Sequence, residues 1–287
     1  MRYAFGLSAV LIALTACAAA AQPAAAPADR VDFGDTAMVA QPCLPMPKAL
    51  ADYLASPADA PLNAEAVKAY VAWNAWEQAN DWPALCRYRE ENHAAMTEPR
   101  PAVVFMGDSI TENWRHLDPA FFTQGRVGRG VSGQTTPQMV ARFYQDVVAL
   151  RPRVVHIMAG TNDIAGNTGP TSEEAFENNI AAMVDLARVN GIAVVLASIP
   201  PTDRFSWRPA LKPGPEVVAL NKWLAAYAQR RGLVFVDYTP VLATPTGAMR
   251  PELTGDGVHP KKAGYDLIEP LALRAIAQAE RGTAARP

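Results

Sequence analysis

Four apolar residues, Val103-Val-Phe-Met106, run directly into Gly107-Asp-Ser109. A short unbroken apolar run of this kind is typical of a strand buried on both faces of a parallel sheet. Glycine permits a tight turn at the end of the strand, and the serine that follows can project its hydroxyl above the sheet edge. Taken alone, Asp or Ser after a strand is more often a helix cap, so the rest of the chain must decide between the two interpretations.

Short β-branched runs alternate with longer amphipathic stretches on the carboxyl side of this segment, which is the pattern of repeated βα units. Right-handed crossovers between parallel strands place helices on both faces of the sheet. We therefore predict an α/β domain over residues 101–287. The predicted strands are Val103–Met106, Arg126–Gly130, Val154–Ala159, Ala193–Ser198 and Val234–Asp237, and the predicted helices are Thr136–Leu150, Ser172–Val189, Glu216–Arg231 and Lys262–Gln278.

Two further motifs follow the second and third predicted strands. Ligands of such sheets bind outside the carboxyl ends of the strands. The glycines of Gly128-Arg-Gly-Val-Ser-Gly133 let backbone N–H groups approach a ligand, with Gly133 as the expected donor. In Gly160-Thr-Asn-Asp163, the side-chain amide of Asn162 can point to the same place. The alternative for both segments is an ordinary turn, with Thr135 or Thr136 capping the next helix.

A fourth motif, Asp256-Gly-Val-His259, lies beside the last predicted helix. A carboxylate that accepts a hydrogen bond from one imidazole nitrogen fixes the tautomer of the ring. It also stabilises the imidazolium that forms when the other nitrogen takes a proton from serine. The pair therefore supplies two of the three members of a Ser-His-Asp triad.

The four motifs occur in order and supply complementary roles, and in them the chain resembles the SGNH (GDSL) hydrolases over about residues 101–279. The stretch Gly130-Val-Ser-Gly-Gln-Thr-Thr136 is similar to bacterial GDSL acylhydrolases and to the alpha subunits of platelet-activating-factor acetylhydrolases. This resemblance implies a flavodoxin-like, three-layer α/β/α sandwich. The second block commonly has Asn where Gly128 stands, a difference that we expect to affect loop support.

The motifs and the resemblance together predict a serine esterase that needs no cofactor and no metal. Ser109 is the expected nucleophile, His259 the base and Asp256 its partner. The oxyanion hole is expected to consist of the backbone N–H groups of Ser109 and Gly133 and the amide of Asn162. No His, Cys, Asp or Glu group has metal-ligand spacing.

The substrate pocket is less well defined by the sequence. The connection Ser198–Pro215 is rich in proline and aromatic residues and can wall an acyl pocket, or it can be a surface loop packed by its own aromatics. The candidate pocket residues are Asp108, Trp114, Phe205 and Trp207; for Asp108 the alternative is a brace of the loop. In the absence of a long hydrophobic lid, we expect a short acyl ester, such as an acetylated glycan. The alternatives are a lysophospholipase, a thioesterase and a non-catalytic glycan-binding lipoprotein.

Composition excludes a strongly charged partner. The formal charge of the 287 residues is −2 and 19% of them are charged, so no basic field attracts nucleic acid and no acidic excess indicates disorder. We expect a small substrate and no nucleic-acid partner. The sequence leaves the oligomeric state open.

The amino terminus has the pattern of an export signal. An apolar core, Ala4–Leu14, is too short to span a membrane and ends in Leu14-Thr-Ala-Cys17, which resembles the bacterial lipobox. We expect residues 1–17 to be the signal, Cys17 the lipidated residue and residues 18–32 a flexible tether. The protein is then periplasmic or an outer-membrane lipoprotein, held at the membrane only by its lipid. The alternative is ordinary signal cleavage and secretion.

Residues 33–100 are expected to form a helical extension packed on the α/β domain. Trp73 and Trp76 lie three residues apart on one helical face, which favours core packing over a sugar-binding platform. In an oxidising compartment Cys43 and Cys86 can form a disulfide, and the alternative is two buried free thiols.

Overall fold

A computed structural model describes residues 43–54, 63–97 and 99–284. The expected signal, Cys17 and the tether lie outside these ranges. In the described ranges, no helix combines the length and the apolar character that crossing a membrane requires.

Five parallel strands form the central sheet in the order β2-β1-β3-β4-β5. This is the flavodoxin-like order, and the predicted fold class is confirmed. The strands are β1 (Val103–Gly107), β2 (Arg126–Gly130), β3 (Val154–Met158), β4 (Ala193–Ala197) and β5 (Val234–Val236). The last residues of three predicted strands, Ala159, Ser198 and Asp237, lie in the loops that follow.

The three inner strands β1, β3 and β4 are buried at every position, as their apolar sequences predict. One core fills each face of the sheet. Met106 and Val155 belong to the first core, whereas Phe105 and Val154 belong to the second. Alternate residues of each strand thus face opposite helical layers, which explains why these strands are apolar throughout.

Ten α-helices are present among the described residues. Three short ones were not predicted, α4, α6 and α9, and each begins within three residues of the end of a strand. The bounds are α1 (Lys48–Leu54), α2 (Ala64–Asn80), α3 (Arg89–Thr97), α4 (Ser109–Leu117), α5 (Thr136–Asp146), α6 (Thr161–Ala165), α7 (Glu173–Val189), α8 (Gly214–Arg231), α9 (Thr239–Leu242) and α10 (Lys262–Ala284).

Register brings the functional motifs to one edge of the sheet. Gly107, at the end of β1, pairs with Gly130 on β2 and with Met158 on β3. The segments that begin at Asp108, Val131 and Ala159 therefore leave the sheet side by side. Gly107 is required by space, because a Cβ there would lie 2.1 Å from the Thr111 Oγ1 atom and 2.8 Å from the Met158 carbonyl oxygen.

Within the described part of the helical extension, a disulfide joins Cys43 and Cys86, whose Cα atoms are 5.4 Å apart. This part of the extension groups with the α/β part in a single unit, residues 41–287. Trp73 on α2 is buried and its ring stacks under the Arg87 guanidinium at 4.2 Å. Its environment is that of a packing residue.

Candidate active site

Ser109 is the first residue of α4, directly after β1. Asp108 caps this helix, because its Oδ1 atom accepts a hydrogen bond from the Ile110 N–H at 2.9 Å. The cap fixes the turn between strand and helix, so the Ser109 side chain lies at the sheet edge and is only partly buried. Its backbone N–H belongs to the first turn of the helix and has no acceptor within the helix.

A continuous chain of hydrogen bonds joins Ser109, His259 and Asp256. The Ser109 Oγ atom lies 2.9 Å from His259 Nε2, and His259 Nδ1 lies 2.6 Å from Asp256 Oδ2. A carboxylate can only accept, so in the neutral ring the proton is on Nδ1 and Nε2 is free to accept from the serine hydroxyl. The ring is thus in the tautomer that a general base requires.

Local backbone geometry orients the Asp256 carboxylate. Its Oδ1 atom accepts from the backbone N–H groups of Val258 and His259, both at 2.9 Å, which leaves Oδ2 for the imidazole. Burial alone would raise the pKa of Asp256, but the hydrogen bonds from the His259 ring and from these N–H groups outweigh it and hold the pKa well below its usual range. Asp256 therefore stays ionised beside the ring.

The loop after β2 carries Gly133 in a left-handed conformation, with φ at +78°. A Cβ added there would meet no atom within 4 Å, so the space above this residue is open. Glycine is favoured because other residues are strained at this φ. Because this space is open, a ligand can approach the backbone N–H of Gly133 closely.

Asn162, in α6, is 3% exposed, and both ends of its side-chain amide are engaged. The Nδ2 group donates to the Gln134 carbonyl at 3.0 Å, and Oδ1 accepts from Asn167 Nδ2 at 2.7 Å. An amide nitrogen carries two hydrogens, so one N–H remains beyond the bond to Gln134.

The prediction that Trp114 and Phe205 line the substrate pocket is wrong. Trp114 is fully buried, where its ring stacks on Phe121 at 4.7 Å and on Tyr265 at 5.5 Å. Phe205 is fully buried as well, against Ala165 and Val258. Side chains without accessible surface cannot line an open pocket.

The other two candidates differ from each other. Asp108 is 1% exposed and acts as the cap of α4, so its assignment to the pocket is also wrong and the alternative, a loop brace, describes it. Trp207 is 39% exposed, packs against the Phe205 ring and donates from Nε1 to the Asn167 Oδ1 atom at 3.1 Å. It alone of the four presents an accessible side chain.

Glu112, on α4, has a role that the sequence did not indicate. Its carboxylate accepts from the Ser132 backbone N–H at 2.9 Å and from the Ser132 hydroxyl, and it forms an ion pair with Arg87 at 2.7 Å. Both charged side chains are largely buried. This ion pair links the helix of Ser109, the loop of Gly133 and the helical extension.

The same loop contacts the extension at further points. Gln134 donates from Nε2 to the Pro83 carbonyl at 2.9 Å, and the Tyr88 hydroxyl donates to the Gly130 carbonyl. Gln138 and Gln145, on α5, donate to the carbonyls of Trp82 and Leu85. The segment around the disulfide thus packs against the loop that carries Gly133.

A buried arginine completes the support of this loop. Arg142 forms an ion pair with Asp146 at 2.8 Å, donates to the Gly107 carbonyl at 2.9 Å and donates to the Gln134 side chain. Asn92, from the extension, donates to Asp146 at 2.6 Å. No periodic pattern marks these long-range partners, so a single sequence gives little signal by which to find them.

A cavity of about 570 Å³ adjoins the Asp256–His259 turn, lined by Leu117, Gly255, Asp256, His259, Pro260, Lys261 and Lys262. Nearby, oxygen atoms of Asp118, Asp266 and Glu269 lie within 4.8 Å of one another. The Lys262 ammonium contacts two of these carboxylates, those of Asp118 and Asp266. A protein cation therefore already compensates this acidic group.

The chain is similar to known proteins in sequence and in fold. Residues 105–267 match the model of the GDSL-like Lipase/Acylhydrolase family. The chain is similar to a GDSL-like lipase of Bacteroides thetaiotaomicron, with 43% identity, a TM-score of 0.65 and coverage of 69% of this chain and 98% of the other. It is also similar to a candidate acylhydrolase of Bacteroides fragilis, with 43% identity, a TM-score of 0.66 and coverage of 70% and 99%.

A lipoprotein of Bacillus subtilis, YqeF, whose function is uncharacterised, is 35% identical over 117 residues. The match covers 34% of this chain and 48% of the relative. The chain thus spans about half the length of this curated relative.

Proposed function

The chain belongs to the GDSL-like lipase/acylhydrolase family, a family of carboxylic ester hydrolases, and from that premise we propose that it hydrolyses short-chain acyl esters with Ser109 as nucleophile. The observation that carries the proposal is the hydrogen-bonded chain from Ser109 through His259 to Asp256, with separations of 2.9 and 2.6 Å. Both distances lie within the range expected for a nucleophile, its base and the group that orients the base.

In the first half of the reaction, His259 Nε2 takes the hydroxyl proton as Ser109 Oγ attacks the ester carbonyl carbon. The tetrahedral intermediate then collapses, the bond to the alcohol oxygen breaks, and the imidazolium returns the proton to the leaving alcohol. In the second half, water attacks the acyl-enzyme, His259 takes a proton from this water, and the acid leaves as Ser109 is reprotonated.

Three N–H donors are proposed to hold the oxyanion of both intermediates. They are the backbone groups of Ser109 and Gly133 and the remaining N–H of Asn162. Losing one such donor typically costs about 10²- to 10³-fold in turnover. The Asn162→Ala variant should therefore fold but have a strongly reduced kcat. Steady-state kinetics measures kcat, and thermal unfolding is the control for folding.

A short acyl group, such as acetate on a carbohydrate, is the proposed substrate class. Two of the aromatic residues that could line a long acyl channel, Trp114 and Phe205, are buried in packing. The accessible indole of Trp207, whose N–H donates to Asn167, offers a flat apolar face on which a sugar ring can stack.

Comparing esters of increasing acyl length tests both the chemistry and the substrate class. We expect p-nitrophenyl acetate to be cleaved with a higher kcat/KM than long-chain esters or acyl thioesters, and we expect Ser109→Ala to lose this activity. Thr246→Ala, which removes an exposed hydroxyl outside the candidate pocket loop, is the matched control and should retain it. A preference for long-chain esters would contradict the substrate class, and an active Ser109→Ala variant would contradict the mechanism.

We further propose that the protein is exported as a lipoprotein through Cys17. The lipobox-like sequence before Cys17 supports this proposal, as does the similarity to a lipoprotein of Bacillus subtilis.

A further inference from the structure

We propose that Asn167 is a positioning residue that sets which way the Asn162 side-chain amide faces, in a hydrogen-bond chain that starts at the Trp207 indole. This inference rests on the proposed function, since it concerns the Asn162 donor of the oxyanion hole. Three bonds form the chain: Trp207 Nε1 to Asn167 Oδ1 at 3.1 Å, Asn167 Nδ2 to Asn162 Oδ1 at 2.7 Å, and Asn162 Nδ2 to the Gln134 carbonyl at 3.0 Å.

The direction of this chain is fixed at both ends. An indole N–H can only donate and a peptide carbonyl can only accept. Trp207 therefore holds the oxygen end of the Asn167 amide, and Gln134 holds the nitrogen end of the Asn162 amide. Either amide could be turned over on shape alone, but turning over one of them places two acceptors or two donors against each other.

Backbone geometry places Asn167 where it can make this contact. Gly166, at φ +64°, ends α6 in the left-handed conformation, and the Asn167 N–H then donates to the Asn162 carbonyl at 3.1 Å. The next residue, Thr168, shares a hydrogen bond of 2.7 Å with Thr135, in the loop that carries Gly133. The turn is thus attached to both sides of the proposed oxyanion hole.

The orientation of Asn162 matters for catalysis because its two ends have opposite polarity. With the nitrogen toward Gln134, the second N–H is available to the oxyanion. With the amide turned over, an oxygen atom would face both the Gln134 carbonyl and the developing negative charge. Preorganised donors stabilise the transition state because they need no reorientation during the reaction.

Asn167→Asp tests the proposal at nearly constant size. Asn167 is exposed, so the change is compatible with folding. The carboxylate still accepts from the Trp207 indole, but it places an acceptor against Asn162 Oδ1 and so favours the turned-over amide. We expect kcat to fall about 10- to 100-fold with little change in KM, because the lost interaction exists only in the transition state.

A double-mutant comparison separates positioning from a general structural effect. In an Asn162→Ala background, Asn167→Asp should change kcat less than about twofold, because the amide that it orients is gone. Trp207→Phe, which keeps an aromatic ring and removes the N–H, should lower kcat in the wild-type background and not in the Asn162→Ala background. Asn178→Asp, the same change at an exposed position of α7, is the matched control and should have wild-type kinetics.

The outcomes distinguish the two proposals. An equal loss from Asn167→Asp in both backgrounds, or unchanged kcat in the wild-type background, would overturn the positioning role while leaving the esterase intact. A wild-type protein that forms no acyl-enzyme with p-nitrophenyl acetate would refute the proposed function itself and the positioning role with it.

Discussion

Asp108 and Ser109 are neighbours in the chain but lie in different surroundings. Ser109 is partly buried at the sheet edge, whereas Asp108 is 1% exposed and its carboxylate caps α4. Burial raises the pKa of Asp108 to about 6, although hydrogen bonds with backbone N–H groups and the field of His259 act in the opposite direction. The charged form of this side chain is therefore a cost to the folded state near neutral pH.

Asp108→Asn isolates this effect, because an asparagine oxygen can still cap α4. The folded-state pKa lies above the unfolded value, so the folded state binds more protons between about pH 4 and 6. The wild type accordingly loses stability as pH rises through that window. We expect the variant to gain stability relative to the wild type over the same window, by up to about 3 kcal/mol.

Urea unfolding of both proteins at pH 4 and pH 7 measures this difference. The gain at pH 7 should exceed the gain at pH 4. A difference in unfolding free energy between variant and wild type that stays constant across the two pH values would contradict the account.

Individual residues were predictable from the sequence where the chemistry is local. The four residues Asp256-Gly-Val-His259 form a turn by themselves. The hydrogen bond between the His259 ring and the Asp256 carboxylate therefore follows from local sequence. Trp114 was misplaced because a helix that begins at Ser109 turns this side chain into the core. Asn167 and Glu112 were missed because their partners lie in other segments, such as Trp207 and Ser132.

At the scale of elements, the sheet was predictable and the short helices were not. Strands that are buried on both faces have apolar residues at nearly every position, so short apolar runs in the sequence predict them directly. The helices α4 and α6, by contrast, span 9 and 5 residues, too few for a periodic apolar face to stand out. Their beginnings are marked only by Asp108 and Gly160, which are equally typical of turns.

The helical extension is the element whose role the sequence left open. Its segment around Cys86 contacts the loop of Gly133 through Pro83 and Tyr88, and contacts α4 through the Arg87–Glu112 ion pair. We therefore expect the extension to support the geometry of the proposed oxyanion hole.

Removing the disulfide tests this role. Cys43 and Cys86 are 43 residues apart in sequence, and the chain-entropy model assigns a crosslink of that span about 4 kcal/mol of stability. The double variant Cys43→Ser, Cys86→Ser should lower the Tm and also lower kcat several-fold at a temperature at which it is fully folded. Unchanged kcat in a folded double variant would show that the extension does not support the loop.

At the scale of the whole molecule, the common edge at which the parallel strands end follows from repeated right-handed βα units, whereas the flavodoxin-like order of the strands was implied only by the family resemblance. Sequence order alone therefore places Ser109, Gly133 and Asn162 at one edge. Which loops brace them could not be predicted, because the buried network around Arg142 joins residues from Asn92 to Gln134 that no local pattern relates.

The cellular location of the protein is a property of the whole chain. Substitution of Cys17 tests the proposed lipid anchor. We expect the protein expressed in a bacterium to incorporate labelled palmitate and to sediment with membranes. Cys17→Ala should abolish labelling and release the protein from the membrane fraction. Membrane association without labelling in the wild type would contradict a lipid anchor at this residue.

The central claim is that Ser109 attacks an ester carbonyl and carries the acyl group. Reaction with p-nitrophenyl acetate, acid quenching within the first turnover and peptide mapping by mass spectrometry measure this directly. The account predicts an acetyl group on the peptide that contains Ser109, and none on that peptide in His259→Ala on the same timescale. Ester cleavage without acetylation of Ser109, or acetylation at another residue, would contradict it.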